Sequence, residues 1–222
     1  NRIYLNTAEQ CVQHNRINDA VTILQKCLAK APTFVSGWLL MAKILWQRNQ
    51  LEQAAVFLKK VLDITPNHMD ALFLLGRIYL INSDFNRTRS IFIRIYNACT
   101  NKEATLERIV KIFDENECIN KLFQIFPLSS LAKLSEDSVI KLIKALIDTS
   151  IEEAYEFCKR LVKDGMISKE ILYYYSYCHF KKNNLKTALK YLEKLLKEYD
   201  DYEPAIKLYD KIMKSIDKKA DN

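Results

Sequence analysis

The stretch that decides the fold is VSGWLLMAKILWQRNQLEQAAVFLKKVLDITPNH, residues 35–68. It sets large apolar residues around two small ones: Trp38, Leu45, Leu58 and Val61 around Ala42 and Ala54. Small side chains let two helix backbones approach closely, and large ones fill the space between them. Pro66 indicates where the second helix ends, because proline interrupts a helix. The stretch therefore predicts a pair of antiparallel helices.

The same pattern recurs at a fixed interval along the chain. Pairs that lie 34 residues apart are Tyr4 and Trp38, Ala8 and Ala42, Ala20 and Ala54, Leu24 and Leu58, and Pro32 and Pro66. One further shift gives Leu72, Gly76, Tyr79, Thr88 and Phe92, although Thr100 stands where a proline is expected. Ala154 and Ala188 keep the same interval in the C-terminal part. Self-similarity of this kind is typical of a repeat protein.

In period and in residue type these positions resemble the tetratricopeptide-repeat (TPR) family. The resemblance implies an all-α fold, a right-handed α-α superhelix of antiparallel helix pairs, with about six repeats and a capping helix. The expected organisation is three well-matched repeats at 1–102, a degenerate short repeat at 103–134, two weaker repeats at 135–202, and a C-terminal capping helix and tail at 203–222.

The degenerate repeat at 103–134 is two residues shorter than the period. Its first helix is predicted around Leu106 and Phe113. Its second helix, around Cys118–Phe126, is expected to be short because Pro127 interrupts it. Two interpretations stay open: a decayed repeat that packs normally, or a kink that redirects the superhelix.

Composition favours the same fold class. Three glycines and four prolines among 222 residues are too few for the many turns of a β-rich fold. The nearest approach to a membrane span, residues 71–81, contains Arg77 and is too short. The six cysteines form no CxxC pair, so we expect reduced structural thiols and no metal site. Because the chain begins with Asn1 rather than methionine, we expect a fragment or a processed form.

The sequence shows no constellation of catalytic residues. The three histidines fall in different repeats. There is no glycine-rich phosphate loop, no nucleophile elbow and no HExxH motif. We therefore expect neither enzyme activity nor a cofactor.

The resemblance also implies where a partner binds, because one face of each first helix lines the concave groove in this family. The expected partner-binding residues are Leu39, Lys43, Trp46, Phe73, Arg77, Leu80, Tyr173 and Tyr177. The C-terminal groove is also expected to contain Val139, Ile143, Leu146 and Phe180. For Trp46 two interpretations stay open, contact with a partner or burial by neighbouring helices. Trp38 is assigned to the core.

Charge is spread unevenly along the chain. Residues 1–102 hold 13 Lys and Arg against 6 Asp and Glu, whereas residues 103–222 hold 21 of each. This excess favours an acidic partner at the N-terminal repeats. Family members that hold acidic chaperone tails have lysine and asparagine where this chain has Leu5 and Glu9, so that clamp is absent. A basic stripe with aromatic residues also suits single-stranded nucleic acid, which we rank below a protein partner.

The predicted function is a non-catalytic protein–protein interaction scaffold or adaptor. It binds a peptide segment or helix of a partner in its concave groove, as part of a multiprotein assembly. The alternative is a chaperone-like or secretion cargo holder, and nucleic-acid binding ranks third. Self-association stays open. No membrane span is expected, and we expect the cytoplasm or another reducing compartment.

Overall fold

The computed structural model describes the backbone of residues 1–220 and the side chains of residues 1–216. It confirms the all-α fold class, because helices are the only regular elements of this region. The helices are α1 (Arg2–Gln13), α2 (Ile17–Lys30), α3 (Val35–Gln47), α4 (Leu51–Ile64), α5 (Met69–Ile81), α6 (Phe85–Ala98), α7 (Lys102–Glu115), a 3₁₀ helix (Ile119–Gln124), α8 (Leu128–Leu131), α9 (Glu136–Thr149), α10 (Ile151–Lys163), α11 (Lys169–Lys181), α12 (Leu185–Glu198) and α13 (Glu203–Ala220). None of these described helices is long and apolar enough to cross a membrane.

The chain forms two compact units, which we call unit 1 (Asn1–Thr105) and unit 2 (Leu106–Asn222). Unit 1 is a row of three helix pairs. α1 packs on α2, α3 on α4 and α5 on α6, and successive pairs meet through α2–α3 and α4–α5. Three residues connect the two helices of each pair. So short a connection makes the paired helices antiparallel.

One backbone conformation marks the turn inside each of the three helix pairs of unit 1. Asn15, Asn49 and Ser83 lie 34 residues apart, and each adopts the left-handed region with φ of 57–58°. Glu117 follows 34 residues after Ser83, with φ 53°. Asn183 is also left-handed, but it lies two residues before the position that two further 34-residue periods after Glu117 would give. Outside glycine, asparagine is among the residues that tolerate this region best, so Ser83 and Glu117 are the less favourable members. The period therefore holds as far as Glu117, and the missing two residues lie beyond it.

The small residues of the repeat lie where paired helices touch. Four of them have no exposed surface: Ala8, Ala20, Ala42 and Ala54. Gly76 takes this place in α5, where an added Cβ would lie 3.1 Å from Ile91 Cγ2 and 3.1 Å from Phe92 Cζ. Contacts that close leave little room for a side chain. The small residues are therefore what allows the backbones to approach.

Unit 2 contains the pairs α9–α10 and α11–α12, and α13 packs on both α11 and α12. After α7, the 3₁₀ helix and the four-residue α8 stand where a full second helix would be. The 3₁₀ helix packs on α9, and its Leu122 has no exposed surface. Pro127 separates the 3₁₀ helix from α8. The short elements thus supply core side chains without a continuous helix.

A carboxylate of α7 fixes the start of α9. Glu107 Oε1 accepts a hydrogen bond from the backbone N–H of Ser135 at 2.5 Å, and Oε2 accepts one from the Ser138 hydroxyl. Partial burial acts to raise the pKa of Glu107, but the hydrogen bonds from Ser138 and Ser135 outweigh it, and the net pKa is lowered. The ionised carboxylate therefore caps a helix that has no side-chain cap of its own.

Candidate functional site

The predicted N-terminal groove residues lie on α3 and α5. Leu39, Lys43 and Trp46 succeed one another at spacings of four and three residues, so they share one face of α3. Lys43 is exposed, whereas Leu39 and Trp46 are half-buried. On α5, Arg77 is also half-buried. We call Leu39, Lys43, Trp46 and Arg77 the N-terminal face.

The centre of the N-terminal face is a cation–π pair. The guanidinium carbon of Arg77 lies 5.3 Å from the centroid of the Trp46 ring. Attraction to the aromatic ring restricts the guanidinium, and this planar group recognises carboxylates through paired hydrogen bonds. Lys43 adds an exposed positive charge one turn before Trp46 on α3. The face therefore suits a carboxylate that lies next to an apolar side chain.

Two residues predicted for this groove are buried instead. Phe73 is 4% exposed and Leu80 is 6% exposed. α5 packs on both α4 and α6, and seven of its residues are buried. Phe73 and Leu80 therefore belong to the core, and the exposed N-terminal face is smaller than the sequence indicates.

The predicted C-terminal groove residues Tyr173 and Tyr177 are half-buried on α11. Their ring centroids lie 6.4 Å apart, and the ring of Tyr202 lies 5.9 Å from that of Tyr173. All three rings pack against the core formed by α11, α12 and α13. Partial burial, with Tyr177 as a second cause, raises the pKa of Tyr173. We call Tyr173, Tyr177 and Tyr202 the tyrosine face. Lys181 Nζ lies 5.4 Å from the centroid of the Tyr177 ring, and Lys169 Nζ lies 5.5 Å from that of Tyr202.

The α9 part of the expected C-terminal groove is wrong. Val139, Ile143 and Leu146 have no exposed surface. The reason is that α9 is enclosed by α10, α11 and the 3₁₀ helix. Only the α11 part of that groove, with the half-buried Phe180 at its end, reaches the surface.

Comparison with known families identifies the repeat. Two family models described as tetratricopeptide repeat match residues 12–67 and residues 170–202. These two segments carry tetratricopeptide repeats. The first match includes α2, α3 and α4 of unit 1, and the second includes most of α11 and all of α12 of unit 2. No curated protein sequence matches the chain.

Solved structures resemble the chain at low sequence identity. A structure of Naa15/Naa10 bound to HypK-THB has a TM-score of 0.61 and 14% identity, over 99% of this chain and 35% of that one. YrrB, a TPR protein with an unusual peptide-binding site, has a TM-score of 0.48 and 18% identity, over 83% and 96%. PilF of Pseudomonas aeruginosa has a TM-score of 0.49 and 12% identity, over 95% and 96%. Since the chain spans about a third of the first structure's chain, that likeness shows a shared fold and no more.

A buried histidine lies beneath the TPR surface of unit 2. His179 is 4% exposed, and its ring centroid lies 5.1 Å from Tyr155, 4.6 Å from Tyr175 and 5.8 Å from Tyr191. Within the described residues, neither of its ring nitrogens has a hydrogen-bond partner. Burial lowers the pKa of His179, and the charge of Lys182 lowers it further. His179 is therefore a neutral core side chain, and we assign it no binding role.

Trp38, which the repeat register assigns to the core, is half-buried and reaches the surface. Its ring stacks on that of Phe57 with a centroid distance of 5.4 Å. Both rings line a pocket between α2 and α4 that sequence reasoning missed. The sequence does place an aromatic residue on each helix of this pair, Trp38 on α3 and Phe57 on α4. The TPR pattern, however, has no spacing rule that predicts contact between these two residues.

Proposed function

We propose that the protein is a non-catalytic interaction scaffold whose first-helix faces bind a segment of a partner protein. The TPR fold is that of a protein-interaction scaffold, built from repeats that stack into an extended surface. The observation that carries the proposal is the Trp46–Arg77 pair on the N-terminal face. Tryptophan and arginine are the residues most often found as energetic anchors of protein interfaces.

The partner segment proposed for the N-terminal face is acidic. Lys43 and Arg77 bring two positive charges to that face, and residues 1–102 carry the whole positive excess of the chain. Opposite charge speeds the encounter with an acidic partner and orients it. An aliphatic or aromatic side chain of the segment would pack beside Leu39 and Trp46.

The partner segment proposed for the tyrosine face is apolar and uncharged. Tyr173, Tyr177 and Tyr202 offer large rings with hydroxyl groups at their edges. Tyrosine provides contact area at a low cost in conformational entropy, which suits a recognition surface. The two faces therefore differ in the chemistry that they recognise.

We further propose a reducing compartment such as the cytoplasm. Six free cysteines are present, and Cys11, Cys27, Cys158 and Cys178 are buried. A hydrogen bond with the Cys178 thiol, together with burial, raises the pKa of Cys158. A thiol that stays protonated reacts slowly, since the thiolate is the reactive form. These cysteines therefore suit a core of reduced thiols.

The proposal is tested by affinity capture from native cells with quantitative mass spectrometry. The double variant Trp46→Ala/Arg77→Ala should lose a partner that the unchanged protein captures, because both anchors of the N-terminal face are gone. The matched control is Arg89→Ala, which removes one exposed charge from α6. Circular dichroism confirms that each variant folds.

Three outcomes would contradict the proposed role. Equal capture by the double variant would show that the N-terminal face is not the binding surface. Weak capture of many unfolded proteins in place of one stable partner would indicate a cargo holder. Capture that depends on nucleic acid and is abolished by nuclease would indicate nucleic-acid binding.

A further inference from the structure

A pocket opens on unit 1 away from the N-terminal face. It has a volume of about 650 Å³, within the range of about 300–1,000 Å³ that is typical of ligand pockets. Residues of α2, α3 and α4 and of the two turns between them line it. The residues that supply its apolar lining are Val21, Leu28, Ala29, Pro32, Trp38, Met41, Leu45 and Phe57.

The pocket and the N-terminal face use different sides of α3. Trp38, Met41 and Leu45 point to the pocket, at spacings of three and four residues. The α3 residues of the N-terminal face are offset from them by about 130° around the helix axis, since each residue advances about 100°. A ligand in the pocket therefore does not compete for Trp46.

The walls of the pocket are held in place by Trp38. The indole N–H of Trp38 donates a hydrogen bond to the carbonyl oxygen of Pro32 at 2.7 Å. The ring stacks on Phe57, whose centroid lies 5.4 Å away. An indole with its polar atom satisfied and one face covered has little freedom to turn. The pocket is therefore formed before any ligand arrives, which lowers the entropy cost of binding.

One cation lines the pocket and a second lies over the two aromatic rings that line it, and neither has an acidic partner among the described residues. Arg48 lines it and donates a hydrogen bond to the Asn18 side-chain oxygen at 2.5 Å. Lys60 Nζ lies 4.3 Å from the centroid of the Trp38 ring and 5.5 Å from that of Phe57. Among residues 1–216, no carboxylate lies within ion-pair distance of either cation. An apolar pocket flanked by two such charges is complementary to an apolar group that carries acidic neighbours.

We propose that this pocket is a second protein-binding site, and that its ligand is an acidic segment bearing one bulky apolar side chain. The apolar side chain lies between Trp38 and Met41. Carboxylates on the flanking residues of the segment pair with Arg48 and Lys60. Buried apolar area supplies the affinity, and the two ion pairs set the choice of partner. The scaffold thus has binding surfaces on two sides of α3.

Single-tryptophan variants test this site, because the chain has only two tryptophans. Trp46→Phe leaves Trp38 as the reporter of the pocket, and Trp38→Phe leaves Trp46 as the reporter of the N-terminal face. The probe is a short synthetic acidic peptide with one central phenylalanine. We expect it to change the emission of Trp38 in a saturable way. The same peptide with a central serine should bind at least about tenfold more weakly, since it loses one buried aromatic ring.

Charge reversal separates the pocket from general electrostatic attraction. Arg48→Glu/Lys60→Glu should weaken binding of the acidic peptide by about tenfold or more, because like charges then face each other. The matched control is Lys26→Glu/Lys59→Glu, which changes net charge equally at exposed residues of α2 and α4 outside the pocket. Phe57→Leu provides a further variant, which removes the aromatic wall and keeps it apolar.

An unchanged Trp38 emission at all peptide concentrations would exclude the site. Equal binding of the serine peptide, or equal weakening by the two double variants, would show that attraction is only to the net positive charge of unit 1.

Discussion

Units 1 and 2 pack their helix pairs in the same way but expose different side chains. Both bury small residues at equivalent places, Ala42 and Ala54 in unit 1 and Ser176 and Ala188 in unit 2. Unit 1 presents the Trp46–Arg77 cation–π pair with excess positive charge, whereas unit 2 presents packed tyrosines and a net charge of only +1, from 21 Lys and Arg against 20 Asp and Glu. The repeat pattern therefore determines which residues form the core, whereas the exposed residues of the two units differ.

The units also differ in how closely they keep the repeat. Unit 1 forms three full helix pairs with a left-handed residue in each turn. Unit 2 replaces one second helix by a 3₁₀ helix and α8, yet Leu122 and Leu131 there remain fully buried. A core side chain therefore needs the right position more than it needs a regular helix.

The largest expected effect concerns the two cores. Phe92 in unit 1 and Phe157 in unit 2 have no exposed surface. Replacing either by alanine should lower the free energy of unfolding by about 3–5 kcal/mol, because a cavity replaces the ring. Urea titration followed by circular dichroism measures this. Ile64→Ala, at a residue 38% exposed, is the control and should cost less than about 1 kcal/mol. A loss below 1 kcal/mol in either Phe variant would mean that its core is loosely packed.

The second prediction concerns the salt dependence of binding at the two faces. A ligand of the N-terminal face should lose about tenfold in affinity as salt rises from low to physiological concentration, because screening weakens its ion pairs with Lys43 and Arg77. A ligand of the tyrosine face should change by less than about twofold, since ring contacts rather than ion pairs are expected to hold it. Isothermal titration calorimetry at several salt concentrations measures both. Equal salt dependence at the two faces would contradict the distinction.

The third prediction is an acid sensitivity confined to unit 2. Burial lowers the pKa of His179, so the folded state disfavours the proton that the unfolded state accepts. The free energy of unfolding should therefore be highest above the unfolded-state pKa of about 6.5 and fall as pH falls below it. Urea titrations at neutral and mildly acidic pH measure this.

The variant His179→Leu is the control for that prediction. It removes the titrating ring and should flatten the stability profile across this range. The Glu107 carboxylate, whose pKa is lowered, stays ionised across the range and does not contribute to the slope. A slope that persists in the variant would assign the acid sensitivity to another group.

The smallest expected effect concerns the turn residues. Ser83 and Glu117 hold the left-handed conformation that Asn15 and Asn49 hold elsewhere. Ser83→Gly and Glu117→Gly should each raise the free energy of unfolding by up to about 1 kcal/mol, because glycine adopts positive φ without strain. Thermal melts monitored by circular dichroism measure the change. Asn49→Ala should act in the opposite direction, and a gain in stability there would contradict the turn assignment.

Much of the fold follows from a few residues. The spacing of Ala8, Ala42 and Gly76 predicts the helix pairs because the paired backbones require small residues there. The short second element after α7 follows from Pro127. The left-handed turns do not follow from residue type, since Ser83 and Glu117 take the conformation of asparagine.

The surface was harder to predict than the core. Helical register places Phe73 and Leu80 in the groove, yet α4 and α6 enclose α5 and bury both. Register also places Trp38 in the core, although it lines a pocket. The position of a residue in the repeat predicts which side of its own helix the side chain lies on. Its exposure also depends on how the neighbouring helices pack against that side.

The measurement that tests the central proposal most directly is a fluorescence titration of Trp46 with the partner captured from native cells. The variant Trp38→Phe isolates Trp46 as the single tryptophan. If the N-terminal face binds the partner, emission should shift to shorter wavelength and saturate as the partner covers the ring. Arg77→Ala should weaken that titration by about tenfold, as expected for an interface anchor. Saturable partner binding with unchanged Trp46 emission and no effect of Arg77→Ala would contradict the account.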